Sequence, residues 1–229
     1  MADARAHHAR GASPLMPLFP DPRRARYDVV AIGDDLSPET LLEAYRSGIF
    51  PWPTDEAPLP WFSPHERAVL FFDEIHISRS LARARRLHSF RLTIDADFGG
   101  VTRGCAEAAR PGQEGTWISP EIIEAYERLH RLGHAHSAEV WDGDQLVGGI
   151  YGVDMGGAFG GESMFYRKPN ASKLALLHLA DHLRSRGLGW MDIQVMTPHM
   201  ETLGAREIAR SKFLDLLKET QERGLVLFP

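Results

Sequence analysis

The sequence predicts an α+β fold, in which a small N-terminal domain precedes a larger domain whose largely antiparallel sheet is flanked by helices. Two observations carry this prediction. Strand-like and helical patterns alternate from about residue 67 onward, and a stretch rich in proline and tryptophan, residues 49–64, precedes them. The length of 229 residues, with 43% hydrophobic residues, suits one large domain with a smaller one attached.

The first 66 residues divide into an extension and a small domain. Residues 1–16 are small, basic and without periodicity, which indicates a disordered extension. Residues 17–66 form the predicted N-terminal domain. Its helix begins with Ser37 as the N-cap and Pro38 at the first helical position, and it ends at Gly48.

The remaining residues, 67–229, carry the patterns of the larger domain. Short apolar or alternating runs predict strands at 68–72, 90–94, 138–141, 146–153, 158–165 and 190–195. Apolar residues at helical spacing predict helices at 78–87, 98–109, 120–132, 171–186 and 210–222. Ser119 and Asn170 are the expected N-caps of two helices, Gly133 ends one of them, and residues 142–144 form a hairpin turn.

Composition narrows the class of protein. The single cysteine, Cys105, excludes an intramolecular disulfide framework and a multi-cysteine zinc site, and its helical setting is typical of a small core residue. We find no signal peptide and no apolar run that spans a bilayer, and we therefore expect a soluble, cytoplasmic protein. The formal net charge of -5 argues against bulk electrostatic binding of nucleic acid, but it leaves room for a local basic patch.

Common catalytic and metal-binding motifs are missing. The chain has neither a phosphate-binding loop of the Walker type nor a nucleophile elbow, so nucleotide hydrolysis and serine esterase chemistry lack their signals. His134 and His136 are spaced for one face of a strand, which would suit a metal. Because no further ligands cluster near them in the sequence, we favour a structural role.

A basic run supplies the local patch. Its arginines lie in a segment without acidic residues: Arg79, Arg83, Arg85, Arg86 and Arg91. On a helix, Arg79, Arg83 and Arg86 share one face that can meet a phosphate backbone. A solvated helix face explains the same pattern equally well, so both interpretations stay open.

Polar residues interrupt two of the predicted strands. Glu162 follows Gly160 and Gly161, and it is either buried with a partner or lines a cavity. The glycines permit close approach of a ligand or mark a bulge, and a bulge is the commoner cause. Asp192 and Gln194 are expected on one face of a later strand, where they form either a site or, more commonly, a solvent-facing edge.

Short motifs follow one another along the chain in a fixed order: Phe19-Pro20, Ile32-Gly33-Asp34-Asp35-Leu36, Gly48-Ile49-Phe50-Pro51-Trp52, Trp61-Phe62-Ser63-Pro64, Arg67-Ala68-Val69-Leu70, Ser78-Arg79-Ser80, Gly115-Thr116-Trp117-Ile118, Gly133-His134-Ala135-His136-Ser137, Gly160-Gly161-Glu162-Ser163-Met164-Phe165, Asn170-Ala171-Ser172-Lys173 and Leu203-Gly204-Ala205. In this order they resemble the bacterial leucyl/phenylalanyl-tRNA–protein transferase family. The departures are Asp34 in place of a second glycine, Ala209 in place of a proline, and a longer loop after Cys105. They affect loop geometry more than the reaction.

The resemblance implies a C-terminal domain similar to GNAT acyltransferases, with no metal and no cofactor. It implies transfer of Leu or Phe, with Met as a further candidate, from Leu-tRNA or Phe-tRNA to the N-terminal α-amino group of proteins that begin with Arg or Lys. The product would be marked for N-degron proteolysis, and we expect a monomer with no membrane partner. The alternatives are a GNAT-type N-acetyltransferase, which would need a glycine-rich pyrophosphate loop that we do not find, and a non-catalytic module that binds basic N-termini or tRNA ends.

The same resemblance implies the site residues. Gln194 is expected to orient the attacking amine, and Asp192 to align Gln194 and favour transient positive charge. Glu162 is the first choice, and Asp192 the second, for binding the basic side chain of the acceptor. Ile150, Phe159 and Met164 would line the amino-acid pocket. The tRNA or acceptor end would meet six residues: Arg79, Arg83, Arg85, Arg86, Trp52 and Trp117.

Overall fold

The computed structural model of the chain describes residues 18–54, 58–87, 89–108 and 116–229. The predicted disordered extension, residues 1–16, therefore lies outside the described residues, as does most of the loop that follows Cys105.

The described N-terminal part contains a small sheet and one α-helix. After a 3-10 helix at Pro22–Arg24 come β1 (Val29–Ile32), α1 (Pro38–Arg46), β2 (Phe50–Pro51) and β3 (Pro60–Phe62). The three strands pair in the order β1-β3-β2, and both pairings are antiparallel. The helix forms here because the Ser37 side chain accepts a hydrogen bond from the Thr40 backbone N–H and Pro38 is in the first turn, and Gly48 follows its end with a φ of 75°.

A larger sheet occupies the rest of the chain. Its elements are β4 (Glu66–Phe71), α2 (Arg79–Leu87), β5 (Arg91–Ile94), α3 (Phe98–Glu107), α4 (Pro120–Arg131), β6 (Ala135–Asp142), β7 (Gln145–Asp154), β8 (Phe159–Tyr166), α5 (Ala171–Ser185), β9 (Trp190–Gln194), α6 (Pro198–Glu201), β10 (Arg206–Ala209) and α7 (Arg210–Glu222). The strand order is β10-β4-β9-β8-β7-β6-β5. Neighbours are antiparallel except β8 and β9, which run parallel and pair at Gly160 and Asp192.

Helices cover both faces of this sheet, and glycines let them approach closely. A Cβ at Gly148 would lie 2.6 Å from the Ala171 Cβ of α5, and one at Gly149 would lie 2.7 Å from the Val101 side chain of α3. Neither helix could keep its position against a larger residue. Gly148 and Gly149 of β7 thus let α5 and α3 pack closely on opposite faces of the sheet.

The predicted α+β class is confirmed, with a mostly antiparallel sheet and flanking helices. Every predicted strand and helix of the larger sheet is present with small shifts at its ends, whereas β10 and α6 were not predicted. One cap prediction is wrong in its chemistry. Asn170 precedes α5 in the left-handed region, with a φ of 67°, but its side chain makes no capping hydrogen bond. The division at residue 66 and the GNAT-like identity of the larger part stay predictions.

Candidate functional site

The site begins at a β-bulge in β8. Tyr151 of β7 is opposite Ser163, and the next residue, Gly152, is opposite Gly161, so Glu162 is an extra residue with no partner in β7. A bulge re-aims the side chain that it carries. The Glu162 side chain is consequently directed to the helix α4 side of the sheet, where it meets Tyr126.

A buried ion pair supports the neighbouring strand β9. Arg67 at the start of β4 donates from Nε to Asp192 Oδ1 at 2.8 Å and from Nη2 to Asp192 Oδ2 at 2.7 Å, and both side chains are only 1% exposed. The Arg67 guanidinium lies between the rings of Phe50 and Phe213, at 4.4 and 4.5 Å from their centroids. It also donates to the Gly48 carbonyl at 3.3 Å. A bidentate pair in such surroundings has one favoured geometry.

Gln194 connects this ion pair to Glu162. Its backbone N–H donates to Asp192 Oδ1 at 2.9 Å, and its φ of 64° ends the extended strand. The Gln194 side-chain Nε2 donates to Glu162 Oε1 at 2.5 Å. Because a carboxylate only accepts hydrogen bonds, this contact fixes the amide orientation and turns the Gln194 carbonyl oxygen away from Glu162. Within the described ranges, no protein group donates to that oxygen.

Opposing effects act on the pKa of the Glu162 carboxyl group. Tyr126 of α4 donates its hydroxyl to Glu162 Oε2 at 3.3 Å, and the hydroxyl of Tyr45 from α1 is hydrogen-bonded to that of Tyr126. Burial, which has the largest effect, and the nearby Asp192 charge raise the pKa of Glu162 to about 7. Hydrogen bonds from Tyr45, Tyr126 and Gln194 act in the opposite direction. The group can therefore gain or lose a proton near neutral pH.

The residues predicted for the amino-acid pocket lie on the other face of the sheet. Ile150 and Met164 are cross-strand partners on β7 and β8, and alternation from Gly148 directs both toward α5. Phe159 is fully buried, and its ring lies 5.7 Å from that of Phe228. Met164 alone of the three keeps appreciable exposed surface.

Of the residues predicted for the tRNA end, Trp52 comes near the buried ion pair, because it packs on Phe50, whose ring contacts Arg67. The arginines of α2 are exposed: Arg79, Arg83, Arg85 and Arg86. Arg85 forms an ion pair with Asp181 of α5. Trp52 is 39% exposed and packs against Phe50 and Phe62, and Trp117 is half-buried against the core.

Of the two histidines that suggested a metal, His134 is partly buried just before β6, and His136 has other partners. His136 faces Asp95 Oδ2 through Nδ1 at 2.6 Å and the Gly133 carbonyl through Nε2 at 3.2 Å. The Nδ1 of His130, which lies beside the same Asp95, bonds the Ala135 carbonyl at 2.8 Å. These bonds account for the positions of both rings. Cys105 is fully buried in α3, as expected for a core residue.

Three residues of the cluster were missed from the sequence: Arg67, Tyr45 and Tyr126. Arg67 begins an apolar strand, and a charge at that point was a signal that a buried partner must exist. Tyr45 and Tyr126 sit at ordinary core positions of amphipathic helices. Nothing in their local sequence shows that their hydroxyls meet.

Among the described helices, none is long and apolar enough to cross a membrane.

Comparison with known proteins gives the family. Residues 69–218 match the family model described as leucyl/phenylalanyl-tRNA protein transferase, and residues 34–65 match its N-terminal domain. The chain is 51% identical over 211 residues to the leucyl/phenylalanyl-tRNA–protein transferase of Anaeromyxobacter dehalogenans (strain 2CP-C), covering 92% of this chain and 91% of that protein. It is 48% identical over 208 residues to the one of Maridesulfovibrio salexigens, covering 90% and 87%.

A solved structure of L-PGS from Bacillus licheniformis shows limited similarity, with a TM-score of 0.40 and 15% identity over 70% of this chain and 52% of that one. The sequence matches are far stronger. They show that the chain belongs to the leucyl/phenylalanyl-tRNA–protein transferase family and is an aminoacyltransferase that moves an amino acid from tRNA to a protein.

Proposed function

We propose that this protein transfers Leu or Phe, with Met as a further candidate, from charged tRNA to the N-terminal amino group of proteins that begin with Arg or Lys. The observation that carries the proposal is the Gln194–Glu162 pair on its buried support. Two groups that can bind an amine are held side by side, one neutral and one acidic. The family relationship supplies the reaction class, and this geometry supports the acceptor specificity.

The chemistry asks little of the protein beyond positioning. An aminoacyl ester on tRNA is already activated, so attack by an amine depends chiefly on orientation and on stabilising the developing oxyanion. An α-amino group has a pKa of about 7.7 to 8.0, so roughly a tenth of it is neutral at pH 7. Neither a covalent enzyme intermediate nor a strong base is required.

In this proposal the Gln194 carbonyl oxygen accepts a hydrogen bond from the attacking amine and directs its lone pair at the ester. Asp192 aligns Gln194 by accepting its backbone N–H, while both carboxylate oxygens are also bonded to Arg67 and the side chain is only 1% exposed. Direct contact of Asp192 with an acceptor side chain is disfavoured for the same reason. We therefore assign the acceptor's amino end and basic side chain to Glu162.

The amino-acid pocket is proposed around Met164, Ile150 and Phe159. Leu and Phe share an unbranched β-carbon and a bulky apolar end, and a thioether adapts to both shapes. Beyond Gly160, no register pair joins β8 to β9 among the described residues, and we place the substrate across that edge of β8. A substrate lying across this edge would reach Met164 on one face and Glu162 on the other.

We expect a transfer assay to identify the activity. The protein is mixed with labelled Leu-tRNA and a peptide that begins with Arg, and a new peptide bond should form without acetyl-CoA. Phe-tRNA should also serve, while Val-tRNA, branched at its β-carbon, should serve poorly. A peptide that differs only by an N-terminal Glu is the matched acceptor control. Dependence on acyl-CoA, or binding without a product, would overturn the proposal.

For the tRNA we propose contact with the exposed α2 face, with Trp52 and Trp117 near the charged end. Replacing Arg83 and Arg86 together by Ala should weaken charged-tRNA binding. Each lost phosphate contact should also make the slope of log affinity against log salt shallower, by roughly 0.7 to 0.9. Fluorescence anisotropy at several salt concentrations measures both.

The matched control for this experiment removes two arginines from another helix. Arg128 and Arg131 of α4 are exposed and lie near Glu124 and Glu127, at 3.7 and 4.0 Å. Their replacement by Ala changes the net charge equally. If both double variants alter the salt slope alike, or neither does, the α2 face is merely solvated.

The wider setting is also a proposal. A product that begins with Leu or Phe would enter N-degron proteolysis, and we propose the cytoplasm as the compartment because charged tRNA is supplied there. The GNAT-like description of the larger sheet and a monomeric state belong to the same proposal.

A further inference from the structure

Two tyrosines from distant parts of the chain converge on Glu162. Tyr45 belongs to α1 and Tyr126 to α4, and they are 1% and 0% exposed. Their hydroxyl groups are hydrogen-bonded to each other, and their rings meet edge to face with centroids 6.4 Å apart. Packing alone would be satisfied by phenylalanine at either position. The presence of the two hydroxyl groups therefore has to be explained by the groups that they bind.

The hydrogen bonds in this cluster can be assigned one direction. A carboxylate accepts and cannot donate, so the Tyr126 hydroxyl hydrogen points to Glu162 Oε2. The Tyr126 oxygen is then left to accept the hydrogen of Tyr45. Burial, with the nearby Glu162 charge, raises the pKa of both hydroxyls well above the ordinary value. Both tyrosines remain neutral donors throughout the working pH range.

We propose that Tyr45 and Tyr126 are positioning residues of the transfer reaction, which hold Glu162 as a carboxylate directed at the amino end of the acceptor. This inference rests on the role proposed above for Glu162. The tyrosines approach from α1 and α4, opposite the Gln194 donor from β9. Glu162 thus accepts hydrogen bonds from two sides, and the β-bulge fixes the position of its backbone.

The groups that face Glu162 predict the effect of losing a hydroxyl. Asp192 of β9 disfavours a second negative charge and is itself compensated by Arg67. Tyr126 and Gln194 donate hydrogen bonds to Glu162, and Tyr45, which is hydrogen-bonded to Tyr126, also lowers the pKa of Glu162. Removing a donor to a carboxylate raises its pKa. Fewer molecules would then carry the Glu162 carboxylate at neutral pH.

The test compares Tyr126→Phe and Tyr45→Phe with the unmodified protein in single-turnover transfer from Leu-tRNA to an Arg-starting peptide, between pH 5.5 and 9. The acidic limb should move to higher pH in both variants, by roughly 1 unit. The plateau rate at high pH should stay within a few fold. Glu162→Gln, which cannot titrate, should show only the limb that belongs to the peptide amine.

Tyr151→Phe is the matched control, because Tyr151 is a buried tyrosine whose ring centroid lies 5.7 Å from that of Tyr126. Its acidic limb should not move. A carbon-13 titration of glutamate carboxyl signals, with Glu162 assigned by its loss in Glu162→Gln, reads the same shift without catalysis.

The outcomes separate the two proposals. If Glu162→Gln keeps the full profile of the unmodified protein, the role proposed for Glu162 is wrong. If Glu162→Gln loses a limb that neither tyrosine variant moves, the function stands and the tyrosine inference is overturned. An equal shift in Tyr151→Phe would also overturn it, because the effect would then be general polarity.

Discussion

Replacing Asp192 by Asn is expected to lower the single-turnover transfer rate by roughly 10- to 1,000-fold, on the order of 1.4 to 4 kcal/mol of transition-state stabilisation. Asparagine would place its NH₂ group either against Arg67 Nη2, which breaks the bidentate pair that holds residue 192, or against Arg67 Nε and the Gln194 backbone N–H, which removes the acceptor that aligns Gln194. The substitution also leaves the buried Arg67 without its counter-charge, which costs about 3 to 5 kcal/mol of folding stability. Affinity for charged tRNA should change little.

Rates at increasing peptide concentration and urea denaturation together check this expectation. If Asp192 acts by alignment, saturating peptide does not restore the rate; restoration would mean that Asp192 binds the acceptor after all. Asp215→Asn is the matched control, because Asp215 forms an exposed ion pair with Arg23 at 2.7 Å. A pair of that kind contributes only about 0 to 1 kcal/mol. Normal rate and normal stability in Asp192→Asn would remove the residue from the site.

The second large effect is expected at Glu162, where replacement by Gln should stabilise the fold in a pH-dependent way. The pKa of Glu162 is about 7 in the folded chain and 4.5 without the fold. Between these values the folded state binds more protons than the unfolded state, so stability of the unmodified protein falls as the pH rises. Glutamine takes no part in this loss. Its advantage should be absent below about pH 4.5 and complete above about pH 7.

The size of that advantage is on the order of 1 to 3 kcal/mol, since one pKa unit corresponds to about 1.4 kcal/mol and the partial exposure of Glu162 reduces the effect. Urea denaturation at pH 5, 6, 7 and 8 measures it. At the same time, Glu162→Gln should lose most transfer to Arg-starting peptides at pH 7.5. A stability difference that is independent of pH would show that Glu162 titrates normally.

Local chemistry made most of the fold predictable. Ser37 and Ser119 cap α1 and α4 with their own side chains, and Gly133 follows α4 with a φ of 78°. Each of these signals depends only on residues nearby in the chain. By contrast, β10 is a short edge strand with the sequence Arg-Glu-Ile-Ala, and it exists because it pairs with β4. No periodic pattern of apolar residues predicts such a strand.

The site was predictable only in part, for the same reason. The polar interruptions at Glu162, Asp192 and Gln194 identified residues that the structure brings together. Alternation did not predict how they meet, because a bulge re-aims Glu162 and a left-handed φ turns Gln194. Arg67 is 125 positions from Asp192 in the chain. Partners at that separation are chosen by the folded topology rather than by any local pattern.

The position of Arg67 also constrains how this enzyme could be recombined with its relatives. Its guanidinium touches Phe50 and the Gly48 carbonyl before residue 66, and Phe213 and Asp192 far beyond it. A chimaera joined near residue 66 would take the two walls of the Arg67 site from different parents. The first 66 residues and the rest should therefore be taken from the same parent. Exchange between two parents should succeed only when both have the same aromatic residues at the positions of Phe50 and Phe213.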